Sequence, residues 1–222
     1  MSKTLRAFHG DASIKEKYLK RLREHYKADE IIHGFYWQNG KGCAIGCTIH
    51  ADVHSRYETE LGIPEWLAHL EDVIFEGLRN NEAKEWPIKF LEAIPVGAVL
   101  DDSLGHEFFR WLLVDEKFGV INHVKDDKEI VAVIRNVADL HTRALTSVVP
   151  DGEWSAAESA VWSIAWSAAW SAARSAARSA VWSIAWSAAW SAAWSAVGSV
   201  AESAAWSAIA KKILSLLESR RS

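Results

Sequence analysis

Hydrophobic residues recur at helical spacing along the first two thirds of the chain. The apolar positions of segment 11–33 share one side of a charged sequence, which predicts an amphipathic helix that Asp11 or Ser13 caps and Gly34 ends. The same reasoning predicts a helix from Ala44 to Leu61 and three further helices over Glu82–Ala93, Asp101–Lys117 and Asp126–Leu145. Pro64 opens another, which runs to about Leu78. Since no convincing run of alternating strands is present, the predicted fold class is all-α.

From Glu153 to Ala210 the pattern changes to a tetrapeptide repeat of the form Trp-Ser-Ala-Ala. Serine stands at every fourth position from Ser155 to Ser207, and nine of the 13 tryptophans lie in this region. Alanine favours helix, and a period of four follows the i, i+4 ridge of an α-helix. Four residues turn a helix by about 400°, so the tryptophan row drifts by about 40° per repeat. We therefore predict several packed antiparallel helices, with a break at Gly198, instead of one rod.

The turn-rich sequence Val149-Pro150-Asp151-Gly152 separates these two patterns. It predicts an N-terminal α-helical domain over 1–148 and a helical repeat region over 149–222, with one shared core as an alternative to two separate ones. The net charge of −4 gives no sign of a nucleic-acid partner. The uncharged stretch Ser179–Ala201 is rich in serine and lacks leucine, which argues against a membrane span. With only two cysteines and no apolar leader, a cytoplasmic location is expected.

The most unusual stretch of the first domain runs from Gly40 to His50 and precedes His54. If it is one helix, four side chains of metal-ligand type fall within about 60° of one face, namely Cys43, Cys47, His50 and His54. Zinc and iron use such ligands, but a straight helix supplies only about two of them. The others would come from Glu58, His69 or Glu71. The simpler alternative is two cysteines buried in a tight glycine-rich contact, with the histidines at a polar edge. We expect no cofactor, with zinc or iron as the alternative.

A lysine between two glycines, Gly40-Lys41-Gly42, precedes the same predicted helix and resembles part of a phosphate cradle. The full phosphate-loop pattern is absent, and no parallel sheet is predicted to carry it. The candidate binding residues are therefore Lys41, Glu58, His69 and Glu71. The alternative for the carboxylates between 58 and 76, Glu58 and Glu71 included, is a solvated helical face.

Three segments and the repeat tail together resemble a group of uncharacterised bacterial and phage-associated proteins, some of which are labelled as immunity proteins. The segments are Gly42-Cys43-Ala44-Ile45-Gly46-Cys47-Thr48, then 57–64 (Tyr-Glu-Thr-Glu-Leu-Gly-Ile-Pro), then 70–78 (Leu-Glu-Asp-Val-Ile-Phe-Glu-Gly-Leu). The resemblance spans most of the chain and implies an immunity-type or phage-related binder. It implies no catalytic residues.

Two functional hypotheses follow from the residues. The first is a non-enzymatic soluble interaction protein, with a protein partner or self-association, because no catalytic motif is assembled in the sequence and the repeat offers a large surface. The second is a small metal- or thiol-dependent enzyme centred on Cys43, Cys47, His50 and His54.

Overall fold

The structure is a computed structural model that describes residues 5–160 and 199–220. Within these residues the chain is mostly helical, with one two-stranded sheet, which confirms the predicted helical class. The central part of the Trp-Ser-Ala-Ala repeat, 161–198, lies outside the described residues. Its division into several packed helices therefore stays a prediction. No helix in 5–160 or 199–220 combines the length and the apolar character needed to cross a membrane.

The helices named here are α1 (Ala12–Lys27), α2 (Ala44–Ile49), α3 (Arg56–Leu61), α4 (Glu65–Gly77), α5 (Asn80–Ala93), α6 (Asp102–Val114), α7 (Lys128–Ala144) and α8 (Ser199–Glu218). Residues 151–160 are helical as well. Two short 3-10 turns cover Ala7–Gly10 and Val120–His123. Strands β1 (Trp37–Gln38) and β2 (Lys41–Gly42) form an antiparallel hairpin in which Trp37 pairs with Gly42.

The chain divides into two compact units. The first comprises Met1–Leu104 with Glu202–Ser222, and the second comprises Gly105–Ala201. The C-terminal end of the chain therefore belongs to the same unit as the N-terminal half. The boundaries of the two units lie after Leu104 and after Ala201, whereas the sequence predicted a domain boundary between 148 and 149.

Helix α2 lies at the centre of the first unit. All six of its residues are buried, and it packs against α1, α4 and α5. Its sequence, Ala-Ile-Gly-Cys-Thr-Ile, carries no charge, and a helix that is apolar on every side is expected to be surrounded by protein. The one hydroxyl in it, on Thr48, donates to the carbonyl of Ala44 at 2.8 Å, so no polar side chain of α2 is left without a partner.

The first predicted helix is shorter than expected. Asp11 does cap α1, since its carboxylate accepts from the backbone N–H of Ser13 at 2.8 Å. The helix ends at Lys27 instead of His33, and Asp29 adopts a left-handed conformation with φ of 56°. The following residues pair with the hairpin, where Gly42 donates to the carbonyl of Glu30 and accepts from Ile32. This long-range pairing competes with the local helix and prevails.

The predicted helix from Ala44 to Leu61 was wrong as a single element. It is divided into α2 and α3, because His50 adopts a left-handed conformation with φ of 52° and ends α2. The predicted end at Gly62 is confirmed, since Gly62 is left-handed at φ of 63° and its N–H caps α3. The break means that His50 and His54 do not share one helical face with the two cysteines.

The second unit is built around α7, whose buried side is made of Ile134, Val137, Ala138, Leu140 and His141. The helix starts at Asp127, where the carboxylate accepts from the backbone N–H groups of Glu129 and Ile130. This is a side-chain cap of the kind that stabilises helix starts by roughly 1 kcal/mol. The predicted start at Asp126 and end at Leu145 therefore agree with the structure to within two residues.

The end of the repeat packs into the first unit through Trp206. Its side chain is 4% exposed, and it lies directly over Gly77 at the end of α4. A Cβ at Gly77 would approach two indole atoms to 2.1 Å, so only glycine leaves room for the ring. Trp206 is thus a packing residue whose contact at Gly77 lies outside the repeat, and the predicted packing of the repeat helices against one another stays a prediction.

Replacement of Trp206 by alanine is expected to lower the free energy of unfolding by about 3–5 kcal/mol, because a buried indole is lost and a cavity remains. Chemical denaturation followed by circular dichroism measures this. Tyr26→Ala, at an aromatic position that is 38% exposed in the same unit, is the control and should cost less than about 1 kcal/mol. Equal losses in the two variants would contradict the assigned packing role.

Candidate functional site

An open cleft of about 540 Å³ lies beside the hairpin of the first unit. It is called the aromatic cleft here and is lined by Phe35, Tyr36, Trp37, Gln38, His50, Ala51 and Asp52. Phe35 is 57% exposed and Tyr36 is 45% exposed, although both are large aromatic residues. Exposed aromatic side chains that are grouped around a concavity are typical of binding surfaces.

The loop that carries these aromatic residues is held by a close backbone contact with α2. A Cβ at Gly46 would lie 1.4 Å from the carbonyl oxygen of Tyr36, and a Cβ at Gly42 would lie 2.0 Å from it. No other residue type fits at either position without moving the loop. The turn at the hairpin tip uses Asn39 and Gly40, with φ of 52° and 81°, as expected for an Asn-Gly turn. Two glycines and this turn therefore fix where the aromatic side chains stand.

His50 lines the cleft and contacts a histidine that the sequence did not link with it. Its Nε2 lies 2.8 Å from Nε2 of His25 on α1, and its ring stacks on Trp37 with centroids 4.2 Å apart. Nδ1 of His25 lies 2.6 Å from a carboxylate oxygen of Glu30. Burial lowers the pKa of His50, and the charge of Arg21 adds to this effect. His50 is therefore kept neutral at physiological pH.

His54 belongs to a separate cluster on the other side of Tyr36. Its Nε2 lies 3.2 Å from a carboxylate oxygen of Asp72, and its ring stacks on His69 with centroids 4.0 Å apart. Tyr36 meets the His54 ring edge-on at 5.6 Å, so one aromatic side chain touches both the cleft and this cluster. Burial raises the pKa of Tyr36, and the negative charge of Asp72 raises it further. The tyrosine is therefore a neutral hydrogen-bonding group there.

Both thiols are buried and protonated. Burial raises the pKa of Cys43 far above its usual value, and the charge of Asp72 raises it further. Burial also raises the pKa of Cys47 to about 12, and its Sγ donates to the carbonyl of Gly42 at 3.3 Å. Because the thiolate is the reactive and metal-binding form of cysteine, neither group is activated for nucleophilic attack at neutral pH.

Glu71 is the most unusual ionisable group of the first unit. It is fully buried on α4, and neither of its carboxylate oxygens accepts a hydrogen bond of normal geometry from the described residues. Burial raises its pKa well above the usual range, and the nearby Tyr57 hydroxyl offsets this rise only in part. Glu71 is therefore a neutral carboxylic acid inside the core, whereas the sequence predicted a ligand or a solvated face.

The other predicted binding residues have different surroundings. Glu58 accepts from the backbone N–H of Glu65 at 3.1 Å and so caps the start of α4. Lys41 is exposed on β2, within electrostatic reach of Asp29. His69 lies in the His54 cluster and approaches Glu65 at 3.7 Å.

The structure thus brings His54 and His69 together and places His50 with His25. In the described part of the chain, no group of three or more His, Cys, Asp or Glu residues is arranged to hold a metal ion.

The second unit contains a further histidine pair that sequence reasoning missed. Nδ1 of His106 lies 2.9 Å from Nδ1 of His141, and the ring of Trp154 stacks on His106 with centroids 5.9 Å apart. Burial lowers the pKa of His141 to about 4, and the His106 charge lowers it in the same direction. Trp154, at the start of the repeat, therefore packs on a histidine pair of which His141 is neutral at physiological pH.

The sequence patterns also did not single out the residues of the cleft, although the sequence contains one signal for them. Phe35, Tyr36 and Trp37 are three consecutive aromatic residues, so they cannot all face one core. Such a triplet beside a tight turn indicates an exposed aromatic surface. The contacts of His25 and Glu30 carry no sequence signal, because they depend on where α1 meets the hairpin.

Comparison with known proteins gives no relative on which to base a function, since no protein-family model, no curated protein and no solved structure matches the chain.

Gly46→Ala tests the contact between α2 and the aromatic loop. Inside an unconstrained helix this change would stabilise the protein by about 1 kcal/mol. Here the new methyl group would overlap the Tyr36 carbonyl, so we expect a loss of at least about 2 kcal/mol, measured by chemical denaturation. Gly152→Ala is the control, because a Cβ there would meet no described atom within 4 Å. Stabilisation of both variants would refute the contact.

Glu71→Gln tests whether the buried carboxyl is neutral. Because its pKa is higher in the folded than in the unfolded protein, its contribution to stability is complete below the unfolded value of about 4.3 and is lost as the pH rises towards the folded value. The free energy of unfolding of the wild type should therefore fall relative to that of the variant by up to about 1.4 kcal/mol per pH unit above this point.

Denaturation midpoints of both proteins between pH 4 and pH 8 give this difference. Glu16→Gln, at an exposed position on α1, serves as the matched control and should follow the wild type at every pH. A difference between wild type and Glu71→Gln that does not change with pH would show that Glu71 is not a neutral buried acid.

Proposed function

We propose that the protein is a non-enzymatic binding protein that holds a protein partner in the aromatic cleft. The observation that carries this proposal is the rigid display of exposed aromatic side chains. Phe35 and Tyr36 are exposed, yet the Tyr36 carbonyl lies against Gly42 and Gly46, and the Phe35 carbonyl accepts from the backbone N–H of Cys43 at 2.8 Å. A surface ordered before binding loses little conformational entropy when a partner arrives, so its contacts contribute more fully to affinity.

The chemistry of the cleft favours a basic side chain of the partner. Asp52 places a carboxylate among the aromatic side chains of the lining. Asp72 and Glu76 lie within electrostatic reach of Tyr36 and add negative charge on that side. An arginine or lysine is attracted by the faces of aromatic rings and by a carboxylate at the same time. The expected partner is therefore a protein segment that presents one basic residue with apolar neighbours.

The buried thiols support binding over the alternative of a thiol-dependent enzyme. Cys43 and Cys47 are both protonated at neutral pH, and Cys47 is engaged with the carbonyl of Gly42. Their role is to fill the tight space beside the aromatic loop with small apolar groups. An immunity-type or phage-related role, which the sequence resemblance implies, is consistent with a protein-binding cleft of this kind.

The proposal is tested with a displayed library of random peptides selected on the full chain. We expect the selected peptides to carry arginine or lysine next to an apolar residue, and the affinity of one synthetic representative is then measured by fluorescence anisotropy. Phe35→Ala should weaken binding roughly 30-fold, the effect of an interface residue worth about 2 kcal/mol. Asp52→Asn should weaken it less, and mainly at low salt, because its contribution is electrostatic.

Phe118→Ala is the matched control, since Phe118 is an aromatic residue of the second unit that is 40% exposed. The Phe118→Ala variant should bind the peptide with the same affinity as the wild type. Selected peptides without basic residues, or binding that Phe35→Ala leaves unchanged, would overturn the proposed cleft.

A further inference from the structure

His25 and His50 face each other through one ring nitrogen each. The two Nε2 atoms face each other at 2.8 Å, and the rings are nearly perpendicular, with an interplanar angle of 78°. The two residues come from α1 and from the left-handed position that ends α2, so they are 25 positions apart in the chain. Trp37 stacks on one ring and meets the other edge-on, which fixes both orientations.

Glu30 determines which nitrogen of His25 is available. Its carboxylate lies 2.6 Å from Nδ1 of His25, so the proton of that ring is held on Nδ1. The lone pair on Nε2 then points at His50. A carboxylate behind a histidine, with the opposite nitrogen left bare, is the arrangement that orients histidine ligands of metal ions and raises their basicity.

We propose that His25 and His50 form a two-histidine site for a divalent transition-metal ion such as zinc, with Glu30 as the positioning residue behind His25. The ion would replace the hydrogen bond between the two Nε2 atoms, and the proton that neutral His50 carries on Nε2 would move through solvent to its own Nδ1, so that both rings bind as neutral imidazoles. With metal–nitrogen bonds of about 2.0–2.1 Å in tetrahedral geometry, the two nitrogens must be about 3.3 Å apart. The rings therefore need to separate by about 0.5 Å and to tilt until both Nε2 lone pairs meet at the ion.

The remaining ligands of the ion would be water molecules. Since the described residues contain no group of three or more metal-type ligands, the protein supplies two of the four positions. His50 lines the aromatic cleft, so water has access to that side of the pair. The positive charges of Arg21 and Arg56 near His50 disfavour a bound cation, whereas the negative charge of Glu30 favours it. This site differs from the predicted set, because it joins His50 with His25 instead of with Cys43, Cys47 and His54.

The test is a titration of the full chain with cobalt(II) after removal of metals by a chelator. Visible absorption reports cobalt binding, and competition with zinc gives the zinc affinity. We expect one equivalent to bind to the wild type. His25→Gln and His50→Asn should each lower the affinity at least tenfold, and asparagine is used at position 50 because it tolerates the left-handed backbone found there. Glu30→Gln should lower the affinity roughly tenfold while both ligands remain in place.

His123→Ala, in the second unit, is the control and should bind as the wild type does. Circular dichroism of each variant verifies the fold, and the rise in melting temperature of the wild type with zinc gives a readout that needs no variant. The proposal is overturned if the wild type neither binds cobalt nor gains stability with zinc. It is also overturned if His54→Ala or Cys47→Ala, and not His25→Gln, abolishes binding.

Discussion

The backbone of Tyr36 lies directly against Gly46 of α2 and Gly42 of β2, and the first unit is organised around this contact. Gly42 and Gly46 leave no space for a Cβ beside the Tyr36 carbonyl, so the aromatic loop and the central helix approach as closely as two backbones can. Burial of α2 on all sides makes this approach necessary, because a short helix contributes little apolar area unless its neighbours come close. Because this contact holds the backbone of the aromatic loop against α2, the side chains of Phe35 and Tyr36 stay exposed.

Several polar groups around α2 take their properties from the same close packing. The thiols of Cys43 and Cys47 are kept protonated by burial, as is the Glu71 carboxyl on α4. A neutral acid inside a core costs less than a buried carboxylate, which would require a partner charge. The helix break at His50 carries that side chain out of the core and towards His25. The two thiols and the Glu71 carboxyl therefore lie in the core around α2, whereas His50, in contact with His25, lies at the cleft.

Fold class and the principal helix ends could be predicted from the sequence because they depend on local chemistry. The cap at Asp11, the end at Gly62 and the Asn39-Gly40 turn all follow from the conformations that these residue types favour. Exact helix lengths could not be predicted. The end of α1 at Lys27 depends on pairing between the segment after it and β2, which is a contact between distant parts of the chain.

The sequence by itself determined a helical protein, a tight glycine- and cysteine-rich contact as one of three interpretations of Gly42–Cys47, and the presence of the tetrapeptide repeat. Only the tertiary structure decided how the ionisable groups are paired. It separated His50 from His54, joined His50 with His25, and removed Glu71 from solvent. The physical reason is that helical spacing relates side chains only while the helix continues. Where His50 turns left-handed, neighbours are set by the packing of α1, the hairpin and α4.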